Sequence, residues 1–174
     1  VSLLVLVAGF PFLERTFQMG TSMDVTSDRV ETPSLSVLNY NVFSFGLNSY
    51  RYGQDNTTVK EFRAWVGRQD ADVLCFQEYF SHGDMKDFEV TKLLRRNGYR
   101  HQAFMLEKKS GSPGEFGLAI FSKYPILDTR DTLFSGQNGL LQADIVWKKD
   151  TVRIINVHLY SMTLQLSQVV DGED

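Results

Sequence analysis

The stretch Asp72-Val73-Leu74-Cys75-Phe76-Gln77-Glu78 restricts the fold more than any other part of the chain. It is a short continuous apolar run closed by polar residues, which predicts a central strand covered on both faces. Upstream, Leu35 to Phe43 reads as a second strand, with Leu35, Val37, Asn39, Asn41 and Phe43 on one face and Leu38, Tyr40 and Val42 on the other. Bulk on both faces predicts that it too is covered on both sides. Between the two lies Thr58-Val59-Lys60-Glu61, which has the capping-box form, followed by Phe62, Trp65 and Val66 at helical spacing. Asp84 is the expected N-cap of a second helix carrying Phe88, Thr91, Leu93 and Leu94, and Asn97-Gly98 is its stop. Strands are then expected at His101 to Met105, Phe116 to Ser122, Leu141 to Trp147 and Thr151 to Leu159. Residues 110–114 and 135–139 read as loops, and Lys148-Lys149-Asp150 as a hairpin turn. The order strand, helix, strand, helix, then strands predicts an α/β fold without internal repeats.

Length and composition matter here for what they exclude. With 174 residues, 43% of them hydrophobic and 22% charged, the chain can bury a core and holds one domain or a piece of a larger one. A single cysteine rules out a disulfide scaffold and a zinc site of several thiolates, and Cys75 reads as a small core residue. A formal charge of -3 supplies no overall positive field for a polyanion, although a local basic groove would suffice. Residues 1–15 are apolar up to Glu14 and Arg15. Thirteen helical residues reach only about 20 Å against a hydrocarbon core of roughly 30 Å. The expectation is the end of a transmembrane helix or signal anchor; a buried or surface-lying helix and the remains of a cleaved signal are the alternatives. Residues 16–34 are polar and aperiodic, a linker, and the domain is expected over 35–174.

Several catalytic motifs are missing, among them the Gly-rich Lys-Ser/Thr phosphate loop, the Gly-x-Ser-x-Gly elbow and His-Glu-x-x-His. Gly111, Gly114 and Gly117 recur without a phosphate-binding lysine and read as a flexible loop. What stands out is a set of polar residues lodged in or at the ends of apolar strands: Asn41, Glu78 and His158. Each alone has an ordinary explanation as a solvent-facing carboxylate, a core imidazole or a turn cap. Together, a carboxylate, an amide and an imidazole at strand ends of one α/β layer are the parts that hold a hard cation and polarise a phosphoryl oxygen.

Four ordered blocks carry a resemblance. Leu38-Asn39-Tyr40-Asn41-Val42, Asp72 to Glu78, Gly117-Leu118-Ala119-Ile120-Phe121-Ser122-Lys123-Tyr124-Pro125-Ile126 and Ile155-Asn156-Val157-His158-Leu159 resemble successive blocks of the endonuclease/exonuclease/phosphatase superfamily. That group includes deoxyribonucleases, abasic-site endonucleases, neutral sphingomyelinases and inositol polyphosphate 5-phosphatases. The resemblance implies a sandwich of two mixed β-sheets flanked by helices, represented here by its first half. It implies Glu78 as the ligand of Mg²⁺, with Mn²⁺ as the alternative ion, and Asn41 in the same site, positioning metal or phosphate. His158 would donate to the phosphoryl group, Glu115 would orient that histidine, and Asn138 would be a weaker phosphate contact. The superfamily's Gly-Asp-x-Asn and terminal Ser-Asp-His blocks do not occur in the chain.

The expectation is therefore a Mg²⁺-dependent phosphodiesterase or phosphatase whose catalytic set is incomplete in these 174 residues, leaving them inactive by themselves. Its substrate would be a phospholipid headgroup, a small phosphodiester or a nucleic acid. A membrane anchor at 1–15 would place the catalytic domain outside the cytoplasm, with export as second choice. The rivals are an inactive binding or scaffold module of the same fold and a membrane-tethered structural domain. The last of these predicts Glu78 and His158 far apart.

Overall fold

Nine residues, Val73–Ser81, form the central strand β2, in which only Glu78 and Ser81 escape full burial. In the computed structural model, which describes residues 33–53, 56–82, 84–108, 111, 114–135 and 138–159, this strand organises everything around it. Strand β1 (Val37–Asn41) runs parallel to it on one side, and β4 (Glu115–Ser122) runs antiparallel on the other. Strand β3 (His101–Lys108) extends the sheet beyond β4, giving a four-stranded mixed sheet in the order β1-β2-β4-β3. A second, antiparallel sheet follows in sequence order from β5 (Ile126–Ser135), β6 (Asn138–Trp147) and β7 (Asp150–His158).

Both faces of the first sheet are covered, as the apolar run of β2 requires. Helices α1 (Leu47–Arg51), α2 (Thr57–Gly67) and α3 (Val90–Arg96) lie on one face. They close an aromatic layer that includes Phe45, Phe76, Tyr79, Phe80, Phe88, Tyr99 and Phe121. Edge-to-face pairs such as Phe80 with Phe88 (5.1 Å) and Phe45 with Tyr79 (5.5 Å) place positive ring edges on negative ring faces. The other face sends Val73, Cys75, Met105, Leu118 and Ile120 against Leu141, Ala143 and Ile145 of the second sheet. Burying each large side chain contributes about 1.5–3 kcal/mol. Cys75 is the buried core residue expected, and burial pushes its thiol up to about 12, so it carries no thiolate at neutral pH.

Several local expectations need correction. Strand β1 ends at Asn41 and is an exposed edge, not a strand covered on both sides: Val37 and Tyr40 are exposed, and Tyr40 leans on Trp65 at 4.8 Å. The α2 helix does run three turns, but it starts at Thr57 after Asn56 and its cap position makes no side-chain hydrogen bond, so the capping box is not closed. Asp84 does not cap α3, which begins at Val90; residues 86–88 make a separate turn. The stop at Asn97-Gly98 holds, with Gly98 left-handed and the Tyr99 N–H donating to the Leu94 carbonyl at 3.0 Å. Strand β5 has no counterpart in the sequence reading, because its residues 127–134 are exposed and mostly polar and so show no apolar alternation. The hairpin turn after Trp147 is as expected, with Lys148 left-handed.

The apolar segment 1–15, the linker up to Thr32 and residues 160–174 lie outside the described residues. Among the described residues no helix is long and apolar enough to cross a membrane.

Candidate functional site

Because β1 and β2 are parallel and in register from Val37 and Val73, their C-terminal ends arrive together and bring Asn41 beside Gln77. There β2 breaks its alternation. Pairing with β4 moves from Phe76 opposite Ala119 to Tyr79 opposite Gly117, so Gln77 and Glu78 face Leu118 alone. This is a one-residue bulge, and Glu78 at its centre has a left-handed φ of +49°. Past the bulge Tyr79 takes the helix-facing place that strict alternation from Leu74 and Phe76 would give Glu78. The carboxylate is thereby released from the aromatic layer.

The chain leaves β1 through an equally unusual turn. The Val42 N–H donates to the Gln77 carbonyl at 3.0 Å, and Phe43, Ser44 and Phe45 then take φ of +46°, +50° and +55° before Gly46 at +75°. Non-glycine residues held in this region cost about 1–3 kcal/mol each and persist where the surroundings over-determine them. One such determinant is Asn41, whose Oδ1 accepts the Phe43 N–H at 2.9 Å. That bond fixes the amide's orientation, so Nδ2 points to Glu78 and donates to Oε1 at 2.9 Å. His158, the last residue of β7, brings Nε2 to 3.7 Å from the same Oε1, an ionic contact when the imidazole is protonated. Both side chains keep some access, 21% for His158 and 25% for Glu78. Three side chains from three strands and both sheets thus meet at one carboxylate, against the expectation of the structural-domain rival.

A second polar set lies directly beneath. Gln77 Nε2 donates to Asn39 Oδ1 at 2.6 Å and to Asn156 Oδ1. Asn156 Nδ2 donates in turn to the carbonyls of Phe76 (2.9 Å) and Ala119 (3.1 Å). Gln77 is 6% exposed and Asn156 2%, so the bond between them is made in a dry interior, while Asn39 holds the exposed end of the network. None of the three stood out as a site residue in the sequence. Period-two spacing was the available signal, since it sets Asn39 with Asn41 and Asn156 with His158 on shared strand faces.

The remaining two sequence candidates open strands β4 and β6. Glu115 is exposed at the start of β4, beside Ser81 in register, and lines an open concavity of about 440 Å³ under α3 with His82, Phe88 and Lys92. Asn41, Glu78 and His158 do not line that concavity. Asn138 opens β6, one residue before Gly139, the register partner of His158.

As a metal site the group has a defined character. Among the described residues no three His, Cys, Asp or Glu side chains form a cluster able to hold an ion. Glu78 offers one carboxylate, while Asn41 turns its nitrogen toward it and has its oxygen engaged. The described residues do not form a complete protein cage, but a single carboxylate fits Mg²⁺, which is commonly held by one or two carboxylates plus waters and substrate phosphate.

A sequence profile described as the Endonuclease/Exonuclease/phosphatase family matches residues 38–155. No curated protein sequence is significantly similar to the chain. Among solved structures, an endonuclease/exonuclease/phosphatase from Beutenbergia cavernae superposes with a TM-score of 0.56 at 17% identity, over 80% of this chain and 44% of that one. A β-hairpin deletion mutant of beta toxin from Staphylococcus aureus gives 0.54 at 22% identity, over 73% of this chain and 51% of that one. Truncated TDP2 from Caenorhabditis elegans gives 0.53 at 21% identity, over 74% and 48%. At these identities the likeness is one of fold, and the chain spans about half the length of the structures it matches.

Proposed function

The chain belongs to the endonuclease/exonuclease/phosphatase family, and from that premise we propose that the whole protein is a Mg²⁺-dependent phosphoester hydrolase whose metal-side half is built from Glu78, Asn41 and His158. The observation that carries this reading is the convergence of Asn41 and His158 on one Glu78 oxygen, at the point where the backbone is left-handed in two separate segments. Strain of that kind is retained where a side chain must be aimed.

In this reading Glu78 holds the ion and Asn41 fixes the carboxylate that does so. When bound, the ion supplies Lewis-acid polarisation of the phosphoryl group. His158, beside the same carboxylate oxygen, would donate a hydrogen bond or a proton to a non-bridging oxygen as charge develops there. Attack by water requires a further base or orienting group, and the residues described here offer no obvious one beside the carboxylate. We accordingly expect little or no turnover from the 174 residues alone. Glu115 and Asn138 are second-line residues: the first would need to act through His158, the second to contact phosphate beside it. The apolar residues 1–15 are proposed as a membrane anchor, with the catalytic domain outside the cytoplasm.

The test compares full-length protein with Glu78→Ala on a nucleic acid, sphingomyelin and a generic phosphodiester, with and without chelator. The expected result is a loss of about 10²-fold or more on whichever substrate is turned over, matched by chelation. Activity that survives both the substitution and the chelator overturns the metal mechanism.

A further inference from the structure

We propose that Gln77 and Asn156 form a positioning clamp that sets one sheet against the other at the site, and so fixes the separation of Glu78 and His158. The proposal rests on the functional reading above, since it concerns the same two side chains. Glu78 belongs to the first sheet and His158 to the second, and among the described residues no ladder of strand pairing joins the two sheets. The layer between them buries chiefly apolar side chains, among them Val73, Cys75, Met105, Leu118, Ile120, Leu141, Ala143 and Ile145. Apolar contact is non-directional and tolerates small sliding movements, so it holds the sheets together without specifying their offset to a few tenths of an ångström. Hydrogen bonds do specify it.

The placement of the clamp matches that task. Each of the three site residues has a member of the amide network close by in its own strand: Asn39 two before Asn41, Gln77 just before Glu78, and Asn156 two before His158. Asn156 reaches from β7 across the layer and donates to the Phe76 and Ala119 carbonyls, the last register pair before the bulge. Gln77 passes the connection on to Asn39 in β1. The bulge that turns Glu78 outward is therefore pinned from the opposite sheet by the residue that shares a face with His158. Buried polar groups of this kind are costly unless every member is satisfied, and here each bond is matched to a partner. Outer residues that hold ligands in place affect metal affinity by about 10–100-fold when removed.

The experiment uses the 174-residue chain at a temperature well below its unfolding midpoint, with two readouts. One is Mn²⁺ affinity by paramagnetic resonance; the other is the ring resonances of His158, which need no metal. Asn156→Leu and Gln77→Met remove the clamp, and Ile120→Val in the same layer is the control for plain loss of packing. The clamp predicts that both clamp variants split or broaden the His158 ring signals and weaken Mn²⁺ binding about tenfold or more. The control should leave both as in the parent. If the buried variants fail to fold, Asn39→Ala at the exposed end of the network keeps the question open to test, with a smaller change in the same two readouts. Clamp variants that fold yet keep the parent His158 signals and Mn²⁺ affinity overturn the proposal. A parent chain that binds no Mn²⁺ at all counts against the functional reading, and the clamp is then decided by the His158 ring alone.

Discussion

Strands β1 and β2 lie side by side for their whole paired length, yet their two ends are built on opposite terms. Where they begin, the Ser36 N–H and hydroxyl donate to Asp72 Oδ2 at 2.9 and 2.8 Å, and the Asp72 N–H donates back to Ser36 Oγ at 2.9 Å. Lys123 Nζ donates to Asp70 Oδ1 at 2.6 Å, and the Tyr99 hydroxyl donates to the Ala71 carbonyl at 2.6 Å. No residue in this cluster has a left-handed backbone. Where the strands end, Phe43, Ser44, Phe45 and Glu78 are all left-handed, and polar groups converge on a partly open carboxylate. The relaxed end locks the strand pair, and the strained end aims side chains. Each end makes the other possible, because local strain survives only in a frame secured elsewhere.

The largest effect should come from breaking the strained end at its support. Gly117 lies opposite Tyr79 across the bulge, and a Cβ there would sit 1.9 Å from the Met105 carbonyl oxygen. That atom belongs to the backbone and cannot rotate away. Gly117→Ala should therefore cost about 3 kcal/mol, the upper part of the range for overpacking, read as a lower urea midpoint. A change under about 0.5 kcal/mol would mean that β3 and β4 can part without affecting the bulge.

The relaxed end should respond less, and with a pH signature. Burial alone pushes the Asp72 carboxyl up, but the Ser36 hydrogen bonds, with Lys123 and Tyr124, outweigh it and hold the group below its ordinary 3.8. A carboxyl depressed in the folded state stabilises the fold fully above its ordinary value, and loses that contribution as pH falls through the folded one. Asp72→Asn should cost about 1–2 kcal/mol at pH 7, and its stability curve should meet the parent's only below the ordinary carboxylate pKa. Parallel curves across the acid limb would show that Asp72 acts through shape alone.

The same contrast explains what could be read from sequence. Strand β2, its apolar run and the polar close at Gln77-Glu78 were legible because burial on both faces leaves an unbroken hydrophobic stretch. Asn41, Glu78 and His158 were legible as polar residues out of place at strand ends. The bulge was not, since a one-residue shift leaves no trace in composition; the run simply continued through Tyr79 and Phe80 to Ser81. Asn156 reads as one more polar residue on an alternating strand until the sheet opposite is known. Strand β5 was hidden for the opposite reason: an exposed edge paired on one side needs no apolar face. Glu115 was placed near His158 by block order alone, and order along the chain does not fix which concavity a strand's first residue enters.

The smallest expected effect is the sharpest probe of strain at the site. At ordinary strand or helix positions a glycine is less stable than an alanine by about 0.5–1 kcal/mol, because it loses more freedom on folding. Position 78, with φ at +49°, should reverse that order. Glu78→Ala and Glu78→Gly both remove the carboxylate and its contacts with Asn41 and His158, so those losses cancel in the comparison. What remains is the penalty a Cβ incurs in left-handed backbone, roughly 1–2 kcal/mol. Glu78→Gly should therefore be the more stable of the two by about 1 kcal/mol in urea unfolding. Were alanine the more stable, the backbone at the bulge would be free to relax. The carboxylate would then be aimed by Asn41 and the clamp alone, without help from the left-handed turn of the chain beneath it.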